Sequence, residues 1–261
     1  MSDAGPPPFK ILIPARYGAT RLPGKPLREL AGRALVLRVL DRARESGAQE
    51  VVVATDDERI RAAVELDGAR AYLTGTQHAC GSDRLAEAVT RLGWGDEELV
   101  VNLQGDEPLM PAALVRAVVA DLAARPEARV ATLAVALAGR GELLDPHIVK
   151  VVTDRDGYAL YFSRAPIPWA RDAGAGGCDT LPEGEGAYLR HLGLYAYRVG
   201  SLKWMAGLDP APAERLESLE QLRVLWHGGR IHVAVAAHAP PGGVDTEADL
   251  QRVAARFAAG P

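Results

Sequence analysis

Residues 10–26, KILIPARYGATRLPGKP, contain the transition that decides the fold. Their apolar, branched start, Lys10–Pro14, predicts a short buried strand. A loop rich in glycine, proline and arginine follows as far as about Gly32. The helical spacing of apolar residues in Ala34–Ser46 then predicts a helix that ends at Gly47. A strand, a loop and a helix in this order are the repeating unit of an α/β fold.

The same alternation continues through the first half of the chain. Three more apolar runs, each followed by a helical pattern, predict strands at Glu50–Thr55, Ala69–Leu73 and Leu99–Leu103. Because these runs are apolar on both faces, they predict a mostly parallel central sheet with helices on both sides. Ligands on such sheets bind beyond the carboxyl ends of the strands, so we expect the loops there to form a site.

After Arg129 the pattern changes to strands with little helix between them, which predicts a smaller, mixed or antiparallel part of the sheet. Three prolines and four glycines in Ala165–Glu185 predict an exposed loop or arm. We expect one helix near Ala213–Trp226, and helix-capping pairs at Thr55 with Glu58 and at Thr246 with Asp249. The later strands are predicted at Val130–Val135, Val149–Thr153, Ala159–Ser163, Leu192–Tyr197 and Ile231–Val235.

Composition excludes several classes of protein. The 261 residues carry 30 Lys and Arg against 34 Asp and Glu, a net charge of -4, which argues against a nucleic-acid partner. Two cysteines, Cys80 and Cys178, cannot form a disulfide framework. The start has no signal-peptide pattern, and no apolar run approaches the length of a membrane span. We therefore expect a cytoplasmic protein with no membrane insertion.

The loop after the first strand carries the strongest chemical signal. Arg16, Arg21 and Lys25 lie there among glycines and prolines, with no acidic residue between them. Basic side chains and close-lying backbone N–H groups bind phosphate oxygens, so the loop predicts a phosphate site. It is not a P-loop, because Pro26 stands where that motif has a hydroxyl residue. A solvated basic surface loop is the alternative interpretation.

Two carboxylates follow predicted strands. Asp106 lies in QGDEP, three residues after Leu103, and Asp245 lies in GGVDT before the last helix. Carboxylates facing a phosphate loop supply the oxygen ligands that Mg²⁺ prefers, and we expect the two to meet there. Alternatively, Asp106 is a turn residue and Asp245 a partner of the helix dipole. Asp56 and Asp57 are a weaker case, since both suit a first helical turn.

A third group of polar residues lies in the second half of the chain. His191 and Tyr195 share a strand face because their spacing is even. Such residues on an apolar strand indicate either a polar substrate pocket or satisfied core groups, and spacing alone does not separate the two. The group is Arg164, His191, Tyr195, Glu220 and Gln221.

Together these motifs resemble the 3-deoxy-manno-octulosonate cytidylyltransferase (CMP-Kdo synthetase) family, from about Lys10 to Val253. The stretch PAR…TRLPGK is shared with other sugar nucleotidyltransferases, whereas YALYFSRAPIPW, RHLGLYAYR and LEQLR are more specific to this family. The resemblance implies a Rossmann-like nucleotide-diphospho-sugar transferase fold. It also implies the reaction CTP + Kdo → CMP-Kdo + diphosphate, with Mg²⁺, in the supply of Kdo to lipopolysaccharide.

The resemblance further implies a role for each site residue. Arg16, Arg21 and Lys25 would hold the triphosphate, and Asp106 and Asp245 would bind Mg²⁺. The remaining residues would contact the two substrates: Gly81, Ser82 and Arg84 the cytidine, and Gln104, Arg164, His191, Tyr195, Glu220 and Gln221 the sugar acid. The chain departs from the family at Ala19 and Cys80, where a serine hydroxyl is usual.

The resemblance implies one nucleotidyltransferase domain over residues 1–261. It comprises a CTP-binding part at about 9–128, a sugar-acid and dimerisation part at about 129–240, and the metal aspartate with the C-terminal helix at 241–261. We expect a homodimer that meets near the strands flanking the Ala165–Glu185 arm. Two alternatives stay open: a cytidylyltransferase for another sugar acid, such as amino-substituted Kdo or a sialic acid, or a catalytically silent nucleotide- or sugar-binding protein.

Overall fold

The computed structural model describes residues 5–18, 21–78, 81–171 and 187–258. The strands in these ranges are β1 (Phe9–Ala15), β2 (Glu29–Leu30), β3 (Arg33–Ala34), β4 (Glu50–Thr55), β5 (Arg70–Leu73), β6 (Leu99–Asn102), β7 (Val130–Ala136), β8 (Lys150–Thr153), β9 (Ala159–Ser163), β10 (Leu189–Arg198) and β11 (Ile231–Val235). The helices are α1 (Leu35–Glu45), α2 (Glu58–Leu66), α3 (Gly81–Arg91), α4 (Ala112–Ala123), α5 (Arg140–Leu144), α6 (Val199–Ala206), α7 (Pro212–Glu217), α8 (Gln221–Trp226) and α9 (Glu247–Ala258).

The chain folds into two compact units. The first comprises Met1–Ala120, Leu194–Ala206 and Pro240–Pro261, and the second comprises Asp121–Gly193 and Gly207–Ala239. No helix in the described ranges is long and apolar enough to cross a membrane.

The first unit contains the parallel sheet. Its strands lie in the order β5-β4-β1-β6, and the second half of β10 runs antiparallel beside β6. Successive residues of a strand point to opposite faces, and both Leu12 and Ile13 are fully buried, as are Val52 and Val53. Both faces of the sheet are therefore covered, and the expected α/β fold with a mostly parallel sheet is confirmed.

The strand order creates a topological switch point between β1 and β6. The chain leaves β1 for β4 on one side, whereas β6 lies on the other side. The loops after β1 and β6 therefore diverge at the edge where α/β proteins bind ligands. Their backbones lie so close together that a Cβ atom at Gly105 would be 2.5 Å from the carbonyl oxygen of Pro14. Only glycine fits there.

A small apolar cluster fixes the C-terminal helix to the first unit. The ribbon of β2 and β3 is antiparallel, and Leu30 lies in a buried cluster with Leu22 and Leu35. Val244, Leu250 and Val253 complete that cluster. Burial of these side chains holds the start of α9, and with it Asp245, in place.

The second unit contains mixed strands, as expected from the changed pattern after Arg129. Strands β7 and β11 are parallel, whereas β8 is antiparallel to both β9 and the first half of β10. Leu133, Val151, Phe162 and Leu189 are buried in its core.

Several local predictions differ from the structure. The single helix expected at Ala213–Trp226 is two helices, α7 and α8, because Ser218 adopts a left-handed conformation with φ of 53°. Asp57, and not Thr55, caps α2 by accepting a hydrogen bond from the Arg59 N–H group. Helices α5 and α6 were not expected. Most of the predicted arm Ala165–Glu185, and both Ala19 and Cys80, lie outside the described residues.

Candidate active site

The centre of the site is the ammonium group of Lys25. Its Nζ atom donates to Asp106 Oδ2 at 2.7 Å, to Asp245 Oδ1 at 3.0 Å and to the carbonyl oxygen of Val244 at 3.0 Å. Burial acts to lower the pKa of Lys25, but the charges and hydrogen bonds of Asp106 and Asp245 outweigh it and raise the pKa. Two carboxylates from distant parts of the sequence therefore meet around one cation.

The loop after β6 positions Asp106. The Glu107 N–H group donates to the Gln104 carbonyl at 3.1 Å, which closes a tight turn. The Val244 N–H group donates to the Asp106 carbonyl at 2.8 Å, and a Cβ atom at Gly243 would meet the same oxygen at 2.7 Å. This close backbone contact explains why glycine precedes the Val244–Asp245 pair.

The start of α9 positions Asp245. Asp249 accepts hydrogen bonds from the N–H groups of Asp245 and Thr246, while Thr246 Oγ1 accepts one from the Asp249 N–H group. The expected capping pair at Thr246 and Asp249 is thus confirmed. Burial acts to raise the pKa of Asp249, but hydrogen bonds from Arg252 and Thr246 and from the two backbone N–H groups lower it to about 2.

Arg21 extends the positive charge around Lys25. The Nη2 atom of Arg21 lies 3.2 Å from Asp245 Oδ2, and both side chains are at least half exposed. Arg16 is exposed and forms no hydrogen bond or ion pair with the described residues. The sequence predicted two carboxylates facing a basic loop, and the structure places Lys25 of that loop between them.

The donor set of the two aspartates fits a magnesium ion. Their oxygens already surround a single cationic nitrogen at hydrogen-bond distances. The described residues contain no group of three or more metal-ligating side chains. Mg²⁺ commonly takes one or two carboxylates and completes its coordination with water and substrate phosphates, which suits this pair.

Arg84 braces three loops at the same edge of the sheet. It is almost fully buried, and its Nη2 atom donates to Asp56 Oδ2 at 2.7 Å while Nη1 donates to the Thr74 hydroxyl. Asp56 Oδ1 also accepts from the Tyr17 N–H group at 3.4 Å. Gly81 and Ser82 are the first two residues of α3, and Arg84 is its fourth. The loops after β1, β4 and β5 are therefore joined through one ion pair.

Tyr195 is a buried residue of the first unit, on the half of β10 beside β6. It lies directly opposite Asn102, so both side chains share one face of the sheet. The side-chain nitrogen and oxygen of Asn102 are buried and have no hydrogen-bond partner among the described residues. Gln104, two residues after Asn102 in the chain, is partly exposed.

His191 belongs to the second unit and is neutral. The Thr132 hydroxyl donates its one hydrogen to the Leu192 carbonyl at 3.1 Å, so it accepts from His191 Nε2 at 3.0 Å. Burial of the ring lowers the pKa of His191 to about 3. At neutral pH the imidazole offers hydrogen bonds and no charge.

Arg164 of the second unit is held by backbone oxygens. Its Nε atom donates to the Glu217 carbonyl at 2.8 Å, and Nη1 donates to the Pro146 carbonyl at 3.0 Å. Glu220 precedes α8, and Gln221 is buried with its Nε2 atom unpartnered among the described residues. Within the second unit, no hydrogen bond or ion pair given by the structure joins Arg164 to His191.

The structure adds residues that the sequence did not single out. These residues are Asn102, Thr132 and Glu217. Their hydrogen bonds or burial depend on tertiary contacts, so no local sequence pattern identifies them. Asp56 was assigned only to a first helical turn, although it comes directly after β4, at the edge of the sheet where a ligand site was expected.

A parallel sheet with a basic loop and two carboxylates at its switch point is the arrangement of a nucleotidyltransferase. The family profile described as cytidylyltransferase matches residues 10–231. The 3-deoxy-manno-octulosonate cytidylyltransferase of Nitrosococcus oceani is 55% identical over 245 residues, which cover 94% of this chain and 95% of that protein. The protein of the same name from Halorhodospira halophila is 56% identical over 96% of this chain and 97% of its own.

Solved structures show the same likeness. The structure of CMP:2-keto-3-deoxy-manno-octonic acid synthetase complexed with CTP has a TM-score of 0.87 and 39% identity, and the match covers 98% of this chain and 100% of the other. A cytidylyltransferase from Leptospira borgpetersenii has a TM-score of 0.61 at 16% identity and shows the shared fold alone, over 97% of this chain and 87% of the other. The chain belongs to the 3-deoxy-manno-octulosonate cytidylyltransferase family.

Proposed function

We propose that this protein transfers the cytidylyl group of CTP to 3-deoxy-D-manno-octulosonate (Kdo), yielding CMP-Kdo and diphosphate. Its relatives at 55% and 56% identity over nearly the whole chain carry the name of that activity. The structural observation that carries the proposal is the Lys25 ammonium held by Asp106 and Asp245 at the switch point. A triphosphate bound beside it would lie where α/β sheets bind nucleotides.

The reaction joins two anions, so charge is the first obstacle. The anomeric hydroxyl of the sugar acid attacks the α-phosphorus, a phosphorus–oxygen bond forms, the bond to diphosphate breaks and the hydroxyl proton leaves. Arg16, Arg21 and Lys25 hold the triphosphate and stabilise the negative charge that accumulates on diphosphate. Positioning and electrostatics are sufficient for this chemistry, and no covalent nucleophile is required.

We also propose that Asp106 and Asp245 hold Mg²⁺ when CTP is bound. The ion would supply positive charge to the phosphate oxygens and the sugar acid. Lys25, which donates to both carboxylates, would also bind phosphate oxygens of CTP at this point.

We propose substrate contacts for the other residues as well. Gly81, Ser82 and Arg84 lie at the start of α3 and would meet the cytidine. Arg164 would pair with the carboxylate of the sugar acid, while the neutral His191 would hydrogen-bond a hydroxyl. The remaining sugar-acid contacts would be Gln104, Tyr195, Glu220 and Gln221.

We propose that the enzyme works as a homodimer in the cytoplasm and supplies Kdo for lipopolysaccharide. The apolar side chains of Leu160 in β9 and of Trp169 in the described part of the arm are each 62% exposed, which supports a protein contact there.

The test is diphosphate release from CTP with a panel of sugar acids, with and without Mg²⁺. The expected result is turnover with Kdo, no turnover without the metal, and weaker turnover with amino-substituted Kdo and sialic acid. A preference for another sugar acid would overturn the assignment of Kdo. No turnover with any acceptor would identify a silent binding protein.

A further inference from the structure

We propose that Glu217 is the positioning residue that orients Arg164 toward the carboxylate of the sugar acid. The inference rests on the proposed function for its substrate, but the contacts that carry it lie wholly within the second unit.

Glu217 contacts the Arg164 segment at three points. Its Oε2 atom accepts from the Arg164 N–H group at 2.9 Å, and its Oε1 atom accepts from the Ser163 hydroxyl at 2.6 Å. Its backbone carbonyl accepts from Arg164 Nε at 2.8 Å. One residue thus fixes both the backbone and the guanidinium of Arg164.

The left-handed turn at Ser218 makes these contacts possible. Helix α7 ends at Glu217, and Ser218 adopts φ of 53° and ψ of 47°, a conformation that costs free energy for a residue other than glycine. The turn ends the helix, so the Glu217 carbonyl is free of a helical partner and can accept from Arg164.

The rest of the Arg164 segment is fixed from the opposite side. Lys150, fully buried, donates to the Arg164 carbonyl at 2.6 Å and to the carbonyls of Asp145 and Ile148. Pro146, whose carbonyl accepts from Arg164 Nη1, lies between those two residues. Lys150 therefore connects the segment that contains Arg164, directly after β9, to the loop that supports its guanidinium.

This arrangement leaves one part of the guanidinium for a ligand. Nε and Nη1 are bonded to carbonyl oxygens, whereas the Nη2 atom has no partner within the described ranges of the chain. The Glu217 carboxylate binds backbone and hydroxyl donors and forms no ion pair with the guanidinium. Arg164 is therefore an oriented cation whose charge no described side chain neutralises, which suits a carboxylate ligand.

The experiment compares Glu217→Gln with the wild type by steady-state kinetics and by calorimetric binding of Kdo. An amide keeps one acceptor oxygen and loses the other, so the segment of Arg164 shifts. We expect the KM and the Kd for Kdo to rise about tenfold, the scale of one lost hydrogen bond to a charged group, with the KM for CTP within twofold. A Ser163→Ala variant, which removes one donor to the same carboxylate, should show a smaller rise.

A double-mutant cycle separates positioning from general damage. In an Arg164→Ala background, Glu217→Gln should leave the Kd for Kdo unchanged, because the residue through which it acts is gone. Glu127→Gln is the matched control, since Glu127 is an exposed glutamate of the same unit paired with Arg230. It should behave as the wild type.

Each possible result supports or overturns the positioning role of Glu217. An unchanged Kd in Glu217→Gln, or a rise that persists in the Arg164→Ala background, would overturn the positioning role. Equal losses for CTP and Kdo would indicate a structural role instead. Wild-type binding of Kdo without turnover would refute the proposed function and leave the role of Glu217 intact, whereas no binding of Kdo would refute both.

Discussion

Replacement of Asp106 by asparagine tests the site with almost no change in side-chain volume. In the structure Asp106 Oδ2 accepts a hydrogen bond from Lys25 Nζ at 2.7 Å. The side chain of Lys25 is 17% exposed and that of Asp106 is 31% exposed. A partly solvated ion pair contributes about 1 kcal/mol or less to folding, so the variant should unfold at nearly the same denaturant concentration. The substitution should therefore lower the reaction rate and leave the free energy of unfolding nearly unchanged.

The size of the catalytic effect follows from the charges at the site. Arg21 and Lys25 both pair with Asp245, and Lys25 also pairs with Asp106. The substitution removes one negative charge beside these cations, so binding of CTP in the absence of metal should be unchanged or tighter. Turnover should fall at least ~100-fold, which corresponds to about 2.7 kcal/mol of transition-state stabilisation.

The assay is diphosphate release at saturating CTP, Kdo and Mg²⁺, with CTP binding measured separately. Asp96→Asn is the matched control, because Asp96 forms an ion pair of the same length, 2.7 Å, with Lys203 in the same unit. The control should keep the wild-type rate. An Asp106→Asn enzyme within threefold of that rate would show that Asp106 takes no part in the reaction.

Three further substitutions test other parts of the account. Arg164→Ala should raise the KM for Kdo more than the KM for CTP in steady-state kinetics; equal rises would show a structural residue. His191 has a folded pKa of about 3 against 6.5 when unfolded, so the unfolded state alone gains a proton as the pH falls below 6.5. Between pH 8 and pH 5, the free energy of unfolding of the wild type should therefore fall by ~2 kcal/mol more than that of His191→Gln. Denaturant titration measures both, and parallel pH profiles of the two proteins would contradict this expectation. Lys150→Met should lower the free energy of unfolding by ~2–4 kcal/mol, because three carbonyl groups lose their buried donor; unchanged stability by the same titration would refute that role.

The parallel half of the fold could be predicted because each strand is a short apolar run between turn residues. The strand bounds at Glu50–Thr55 match the prediction in full, as do those of the antiparallel strand Ala159–Ser163 in the second unit. The break between α7 and α8 could not be predicted, since apolar spacing continues across Ser218 and nothing local marks a left-handed serine. Helix α6 begins directly after β10, and its first N–H groups donate to the carbonyls of Glu98 and Asp96, which are distant in sequence.

The candidate site, like the fold, could be predicted only in part from the sequence. The sequence predicted that Asp106 and Asp245 would meet, because each follows a strand or precedes a helix at the expected edge of the sheet. It did not predict that Lys25 would lie between them, since charge spacing does not show which groups bond. Arg84 was assigned to substrate, and its ion pair with Asp56 depends on the packing of α3 against the loop after β4, which is distant in sequence.

The central claim is that Asp106 and Asp245 act together on one divalent cation beside the basic loop. The most direct measurement is the dependence of diphosphate release on Mg²⁺ concentration for the wild type, Asp106→Asn and Asp245→Asn. The account predicts that each substitution raises the half-saturating Mg²⁺ concentration by at least ~10-fold, the lower scale for loss of a metal-site contact. A wild-type Mg²⁺ dependence in either variant would contradict it.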